Sequence, residues 1–381
     1  MLVFLPLMNR RFRKLMNDLH LWLGLGSGLI LFVVCLTGTI YTFRTEVDEF
    51  FNKEKYFFEV PAGAALMNVD SLAAKVSAAQ QGIVTGISIP TDKNRVWSFT
   101  VKPEKKNSKG ANERGRQVLV NPYNGSIDSN TETGSSKFFV TMMKLHRWLL
   151  MEQKTGRIIV GIATIIFTFL LLSGIILWLP KRWRYWKQGF FILFSGKWKR
   201  INYDLHNVLG FYSFLLMLVM ALTGLCWSFD WYKKGMSKIL GAPVLQRGGG
   251  KPVTSTVSSG NTIALSAVIS TGNTALPQKG TARISLPEDS TGVFSFSKNN
   301  EDAFNVTASD RASIDRYTGN IVKLEKFADK SFGEKIAASI KPLHTGEIFG
   351  LFSKIIYFIC CLIATSLPIT GTLVWWNKRK R

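Results

Sequence analysis

Residues 18–38 read DLHLWLGLGSGLILFVVCLTG, and residues 204–224 read DLHNVLGFYSFLLMLVMALTG. The two segments share Asp-Leu-His, then Leu-Gly, then Leu-Thr-Gly, at a constant offset of 186 residues. Neither segment carries a charge after its histidine, and about 20 apolar residues are enough to cross a membrane as a helix. The pair therefore predicts two membrane-spanning helices at equivalent positions of an internal two-fold repeat.

Two further apolar segments raise the prediction to four spans, at 19–43, 158–179, 205–227 and 349–376. A large soluble protein with buried helices is a poor alternative, because charge-poor runs of this length stand out in a chain of net charge +23. The first span is interpreted as an uncleaved anchor, since it is longer than the apolar core of a signal peptide and lacks a small-x-small cleavage site. The fold class predicted is an integral membrane α-helical protein.

The second and fourth spans resemble each other more loosely than the first and third. Leu145-His146 precedes the second span, and Ser173-Gly174 lies within it. The related dipeptides Leu343-His344 and Thr370-Gly371 occupy the corresponding places before and within the fourth span. The order of elements is therefore helix, intervening segment, helix, repeated once.

The distribution of basic residues predicts the orientation. Three short flanks, within 1–18, 181–200 and 377–381, are basic and poor in acidic residues, which places them and both termini in the cytoplasm. The basic composition is thus a topology signal, and no nucleic-acid partner is expected. The predicted organisation is a basic N-terminus with the first span (1–43), an outer domain (44–137), a pre-helix and second span (138–180), a basic loop (181–200), a third span (201–231), a second outer domain (232–340) and a fourth span with a basic tail (341–381).

Each outer segment reads as a small α+β domain. In the first, a helix is predicted at 71–80 and strands at 86–90, 96–102 and 117–120. In the second, residues 263–270 precede strands at 282–286, 293–297, 312–314 and 321–324, and the Gly-, Ser- and Thr-rich residues 241–260 read as a loose linker. The outer segments contain no histidine or cysteine, so no strong metal site is predicted there.

The chain has four histidines, His20, His146, His206 and His344, and each stands near the entrance of a different span. The predicted topology puts His20 and His206 on the inner side and His146 and His344 on the outer side. Two side-matched pairs of imidazoles suit two bis-histidine haems, specialised for electron transfer rather than oxygen binding. The spacing also predicts that Gly24 and Gly210, each four residues after a histidine, make room for a macrocycle, and that Asp18 and Asp204 are helix N-caps.

These motifs together resemble the PepSY-associated transmembrane proteins. The resemblance rests on Asp-Leu-His with Leu-Gly and Leu-Thr-Gly, on Leu-His-Arg-Trp at 145–148, on Leu-His-Thr-Gly-Glu-Ile-Phe-Gly at 343–350 and on Asp-Arg-Tyr-Thr-Gly at 315–319. Within that family the chain is similar to inner-membrane ferric-siderophore reductases. The resemblance implies PepSY-like outer domains, two b-type haems held by the four histidines, and a place in the bacterial inner membrane.

The expected function is the reduction of a ferric siderophore outside the membrane, which frees Fe(II). The electron donor is expected to be a separate reduced flavin, flavoprotein or quinol, because the sequence has no Gly-x-Gly-x-x-Gly fingerprint and its inner segments are too short for a nucleotide-binding domain. Other outer acceptors, such as a quinone or a redox protein, remain open, as does a non-redox sensor or scaffold. A transporter is disfavoured by the lack of charged groups at mid-membrane.

The residues beside the outer histidines are candidates for contacts with a haem propionate or the substrate. They are Arg147, Trp148 and Lys341. One spacing is unusual: the 32 residues from His146 to Trp178 would form about 48 Å of continuous helix, whereas the hydrocarbon core is about 30 Å thick. The sequence leaves the depth of His146 and His344 undecided.

Overall fold

The computed structural model describes residues 9–103, 115–180, 183–245, 253–255, 260–303 and 305–379. It divides into two compact units. The helical unit comprises Met1–Arg44, Phe138–Leu245 and Ile336–Arg381, and the sheet unit comprises Thr45–Lys137 and Gln246–Lys335. Of the predicted linker 241–260, residues 246–252 and 256–259 lie outside the described residues.

The helices are numbered in chain order. They are α1 (Arg10–Thr42), α2 (Arg44–Phe51), α3 (Lys53–Tyr56), α4 (Val69–Gln80), α5 (Gly134–Trp148), α6 (Gln153–Trp178), α7 (Trp198–Ser228), α8 (Asp230–Leu240), α9 (Leu265–Ala275), α10 (Phe332–Thr345) and α11 (Gly350–Arg379). A short 3-10 helix covers Trp183–Gly189.

Four of the described helices, α1, α6, α7 and α11, are long and apolar enough to cross a membrane. They correspond to the four predicted spans, so the prediction of a multi-pass membrane protein is confirmed. Helix α1 packs against α6 and α11, and α7 packs against the same two helices. The four therefore form a square bundle in which α1 and α7 occupy one diagonal and α6 and α11 the other.

Small polar side chains line the interior of α1 without breaking it. Ser27, Thr37 and Thr39 are buried, and each hydroxyl donates to a backbone carbonyl four residues earlier. A hydroxyl satisfied in this way adds no unpaired group to an apolar environment, and its small size allows neighbouring helices to approach closely.

Two of the long helices are preceded by sharp breaks rather than by continuous helix. Helix α5 ends at Trp148, Leu149 and Leu150 take left-handed φ values of 55° and 58°, and α6 begins only at Gln153. Helix α10 likewise ends before Gly346, whose φ is 76°. His146 and His344 therefore lie on short helices that end before the long helices begin, and no continuous helix joins His146 to Trp178.

The sheet unit contains one antiparallel sheet. Its strands are β1 (Gly82–Ile89), β2 (Trp97–Pro103), β3 (Arg116–Val120), β4 (Ile127–Asp128), β5 (Ala282–Ser285), β6 (Phe294–Asn299), β7 (Ser309–Ile314) and β8 (Ile321–Glu325). Among the described residues the strand order is β4-β3-β2-β1-β5-β6-β7-β8. The two predicted α+β domains thus share a single sheet, joined where β1 pairs with β5 from Gly86 opposite Ser285 to Ile89 opposite Ala282.

The core of the sheet unit lies between the sheet and helices α4 and α9. Alternate residues of β2 point inward, and Phe99 is completely buried beside Leu72 of α4. Phe296 of β6 occupies the same kind of position near Val268 of α9. On β2 and β6 the side chains alternate, so their buried aromatic residues enter this core while the serines between them lie on the other face.

The partly buried carboxylate of Asp48 organises the start of the sheet unit. Asp48 of α2 accepts hydrogen bonds from Thr133 Oγ1 at 2.7 Å, Ser135 Oγ at 2.5 Å and Tyr56 Oη at 2.6 Å. Burial alone would raise the pKa of Asp48, but these hydrogen bonds outweigh it and lower that pKa. Burial and the bond to Asp48 raise the pKa of Tyr56. The network ties α2 and α3 to the segment that leads into α5.

Asp70 links the two halves of the sheet unit through a helix cap. Helix α9 follows Ala264, which has no side chain able to cap it. Instead Asp70 of α4 accepts from the backbone N–H groups of Leu265 at 2.6 Å and Ser266 at 3.1 Å. A carboxylate here satisfies free N–H groups and complements the positive end of the helix dipole.

Replacing Asp70 by alanine should loosen the first turn of α9. The expected effect is about a tenfold faster amide exchange at Leu265 and Ser266, because loss of a capping side chain costs about 1–2 kcal/mol. Hydrogen–deuterium exchange of the peptide around these residues measures it in the full-length protein. The exposed Asp329→Ala provides the control, and equal exchange in the two variants would contradict the capping role.

Candidate functional site

The structure brings His20 of α1 and His206 of α7 together. Their ring centroids are 6.5 Å apart and their planes are nearly perpendicular, at 88°. Because α1 and α7 are diagonal neighbours in the bundle, the two imidazoles meet across its interior. This arrangement is called the first pair below.

Hydroxyl groups on the other diagonal hold the first pair. His20 Nδ1 lies 2.8 Å from Ser173 Oγ of α6, and His206 Nδ1 lies 2.9 Å from Thr370 Oγ1 of α11. Each hydroxyl also donates to a carbonyl one turn earlier in its own helix, so its oxygen is left to accept from Nδ1–H. The proton on Nδ1 leaves the Nε2 lone pair of each ring available to a metal.

His146 of α5 and His344 of α10 form a second pair. Their ring centroids are 6.3 Å apart with an interplanar angle of 55°. His146 Nδ1 lies 2.8 Å from the carbonyl oxygen of Val34, and His344 Nδ1 lies 2.9 Å from that of Met220. A carbonyl only accepts, so Nδ1 carries the proton here too and Nε2 is again available.

A glycine on a neighbouring long helix accommodates each of the four rings. A Cβ added at Gly38 or Gly224 would lie 3.1 or 3.0 Å from Cε1 of His146 or His344. In the first pair, a Cβ added at Gly174 would lie 3.4 Å from Cε1 of His20, and one added at Gly371 would lie 3.1 Å from Cε1 of His206. A Cβ at Gly38, Gly224 or Gly371 would crowd the neighbouring imidazole, whereas one at Gly174 would only touch it.

These four glycines were not predicted as site residues, although the sequence contained the signal. Thr37-Gly38 and Thr223-Gly224 are related by the same offset of 186 residues as His20 and His206. Ser173-Gly174 matches Thr370-Gly371. The glycines that were selected, Gly24 and Gly210, are not against a histidine. The nearest atoms to a Cβ built on them belong to Leu170 and Leu367, each at 3.8 Å, and their role toward a macrocycle remains a prediction.

The prediction that Asp18 and Asp204 are N-caps is wrong. Helix α1 begins at Arg10 and is capped by Asn9, so Asp18 lies well inside it. Helix α7 begins at Trp198, and Asp204 lies in its second turn. There the buried Asp204 carboxylate pairs with Arg200 Nε at 2.9 Å and accepts from the N–H of Leu193. Both helices start earlier than their apolar stretches because their first turns are amphipathic.

The residues predicted to flank the second pair are placed as follows. The guanidinium of Arg147 lies 5.1 Å from the ring centre of Trp148, directly after His146. Lys341 is exposed on α10, one turn before His344. Trp227, which was not singled out, packs its ring 5.2 Å from that of His344. In the sequence, its aromatic side chain and its place at the end of the third span could have marked Trp227 as a site residue.

The donor set fits a haem better than other metal centres. Among the described residues no cluster of three or more His, Cys, Asp or Glu side chains is placed to hold a metal ion, so a tetrahedral protein-ligated site is not built here. A haem needs only two axial ligands from the protein. Two metal–imidazole bonds of about 2 Å, with about 1.2 Å from each nitrogen to its ring centre, give a centroid separation of about 6.4 Å. The observed 6.5 and 6.3 Å fit that spacing.

Comparison with known families identifies the chain. The family described as the PepSY-associated TM region matches residues 18–378, so the chain belongs to this family. The predicted family resemblance is confirmed. No curated protein matches the chain.

Replacing Gly38 by valine should expel His146 from its place beside Val34. The added side chain has no space next to the ring, so we expect loss of any haem held by the second pair while that of the first pair stays. Haem content per chain, measured as the pyridine haemochrome, should fall by half. Gly26→Val in the same helix is the control, because nothing lies within 4 Å of its Cβ position. Equal haem content in the two variants would contradict the role of Gly38.

Proposed function

We propose that this member of the PepSY-associated transmembrane family carries electrons across the bacterial inner membrane through two haems b and delivers them to a ferric siderophore outside. One observation carries the proposal: two facing imidazole pairs, at 6.5 and 6.3 Å, in which each Nδ1 is engaged by an acceptor on another helix. Such rings are held ready to bind iron through Nε2.

The charge pattern supports an orientation with the first pair on the cytoplasmic side. His20 and His206 lie near the ends of α1 and α7 that follow basic flanks, where Arg13 and Arg200 are found. Basic flanks favour the cytoplasm, so both termini are placed there. The first pair then holds the inner haem and the second pair the outer haem.

The two pairs stand well apart along the bundle. His20 and Gly38, which contacts His146, are separated by about 27 Å of α1 at 1.5 Å per residue. The bundle between them is filled by a cluster that includes Leu171, Met217 and Ala364. Two cofactors at these levels divide the crossing of the membrane into two shorter steps and keep water away from both.

We further propose that the chain is an internal two-fold repeat and that each haem joins its halves. The first pair takes one histidine from α1 and one from α7, at the constant offset of 186 residues. The carbonyls that accept from the second pair, those of Val34 and Met220, are related by the same offset. This equivalence explains why each pair takes one histidine from each half of the chain.

The protein's own groups set the chemistry of the site. A haem with two imidazole ligands supplies one-electron transfer and offers no open position to oxygen. The hydrogen bonds to Nδ1 fix the orientation of each ring and raise its strength as a ligand. Arg147 and Lys341 provide positive charge near the second pair, where an anionic acceptor would approach.

Reduction suits the release of iron from a siderophore. One electron converts Fe(III) to Fe(II), which binds hard oxygen ligands less tightly, so the chelate loosens. The electron donor on the inner side must be a separate molecule, and reduced flavin, a flavoprotein and a quinol fit this requirement equally.

Removing single histidines tests the haem assignment. The wild type should contain two non-covalent haems b per chain, and His20→Ala and His206→Ala should each lose the same one. The double variant should lose no more than either single variant. Haem content and potentiometric titration measure this. A wild type without haem, or different haems lost from the two single variants, would sink the assignment.

Reoxidation from outside tests the acceptor. Chemically reduced protein in proteoliposomes should be reoxidised when a ferric hydroxamate chelate is added outside, with Fe(II) captured by ferrozine. His344→Ala should stop this transfer while the inner haem remains reducible. If several ferric siderophores leave the wild type reduced but a quinone or a redox protein reoxidises it, the iron assignment is wrong and only electron conduction remains.

A further inference from the structure

Asn202 lies in the second turn of α7, and only 1% of its surface is exposed. Its Nδ2 donates to the carbonyl oxygen of Thr370 at 3.1 Å. Its Oδ1 is buried and has no hydrogen-bond partner. Because the Thr370 carbonyl can only accept, the nitrogen of the amide must face it, and the orientation of the amide is fixed. A buried acceptor without a donor is unfavourable, so the Oδ1 atom requires a partner.

The position of Asn202 connects this oxygen with the first pair. Residues four apart share a helix face, so Asn202 lies one turn before His206 on the same side of α7. Both side chains bond to Thr370, Asn202 to its carbonyl and His206 to its hydroxyl. Asn202, Thr370 and His206 therefore form one polar cluster inside the bundle. The residue at the equivalent position of α1, 186 earlier, is Met16, so this feature occurs in one half only.

We propose that Asn202 Oδ1 accepts a hydrogen bond from a protonated propionic acid group of the haem held by His20 and His206. This inference rests on the proposed function. The carboxyl groups are the polar substituents of a haem b, and an ionised carboxylate only accepts hydrogen bonds. Only the protonated form has the O–H that Asn202 Oδ1 needs.

This bond couples a proton to the electron. With a haem bound, its reduction by one electron would be accompanied by the uptake of one proton from cytoplasmic water at the carboxylate beside Asn202. When the electron moves on to the outer haem, the proton returns to water. The negative charge added on reduction would favour the protonated acid, and Asn202 would stabilise it further.

Other ionisable groups lie at this end of the bundle and are alternative sites for the proton that accompanies reduction. Arg13 is engaged by the carbonyls of Leu177 and Leu179. Asp204 is buried in its ion pair with Arg200 and is the main alternative carboxyl. The remaining titratable or charged groups at this end of α1, α7, α11 and the short 3-10 helix are His20, His206, Arg10, Arg11, Lys14, Asp18, Arg184, Tyr185, Lys187, Lys199, Tyr203, Tyr212, Lys378 and Arg379.

Potentiometric titration of the intact protein at several pH values tests the proposal. The inner haem is identified as the component lost from His206→Ala. Its potential in the wild type should fall by about 59 mV for each tenfold fall in proton concentration, as expected when one proton accompanies one electron. Asn202→Leu, of similar size but without the acceptor, should flatten this dependence and speed the loss of haem to an apoprotein trap.

Two variants provide the controls. Asn17→Leu changes an exposed asparagine near His20 on α1 and should keep the full pH dependence. Asp204→Asn should also keep it. A pH-independent potential in the wild type, which needs no variant to measure, overturns the inference while leaving the haem assignment intact. The inference is also overturned if the pH dependence of the potential disappears in Asp204→Asn but persists in Asn202→Leu.

The same titrations distinguish the haem propionic acid from a quinol as the group whose hydroxyl donates to Asn202 Oδ1. If Asn202→Leu keeps the pH dependence and its haem but is reduced more slowly by an added quinol, the hydroxyl belongs to the quinol and the assignment to the propionic acid is wrong. A wild type that contains no haem overturns the proposed function itself. This result is distinct from a pH-independent potential, which overturns only the inference about Asn202.

Discussion

The hydrogen bond from each imidazole Nδ1 to a neighbouring helix is the interaction on which the arrangement of the bundle depends. An imidazole inside apolar helices is costly unless its polar atoms are satisfied. In all four histidines an acceptor on another helix meets this demand: Ser173, Thr370 and the carbonyls of Val34 and Met220. Each bond reaches its acceptor because a glycine sits beside the ring. Two of the contacts between long helices, α1 with α6 and α7 with α11, therefore include a histidine ring beside a glycine.

The two pairs meet this demand in different ways because their histidines lie on different kinds of helix. His20 and His206 belong to long helices and reach hydroxyls on the other diagonal of the bundle. His146 and His344 lie on short helices, which can turn a ring toward a helix backbone only because the chain breaks after each of them. A side-chain acceptor can be removed by substitution, whereas a backbone carbonyl cannot. The first pair is thus the one whose Nδ1 hydrogen bonds can be removed by substitution.

Much of the helical unit was predictable from sequence because its signals are local or repeated. Apolar runs located α1, α6, α7 and α11, and the count and placement of the histidines selected the residues that the structure brings into two pairs. Helix α4 and most strands followed from periodicity. The break at Leu149 and Leu150 was not predictable, since it requires left-handed φ values at residues that seldom adopt them. The pairing of β1 with β5 was also missed, because it joins segments about 200 residues apart and leaves no local pattern.

The breaks after α5 and α10 determine what holds the two imidazoles of the second pair. The chain leaves the sheet unit twice, once from β4 into α5 and once from β8 into α10. Each of these short helices carries one histidine of the second pair, and each is separated from the long helix that follows by residues outside helical geometry. A continuous helix would hold His146 rigidly to α6, and the break removes that constraint. The position of each of these two imidazoles is then set by its bond to the carbonyl of Val34 or Met220 and by its own short helix, and not by the long helix that follows.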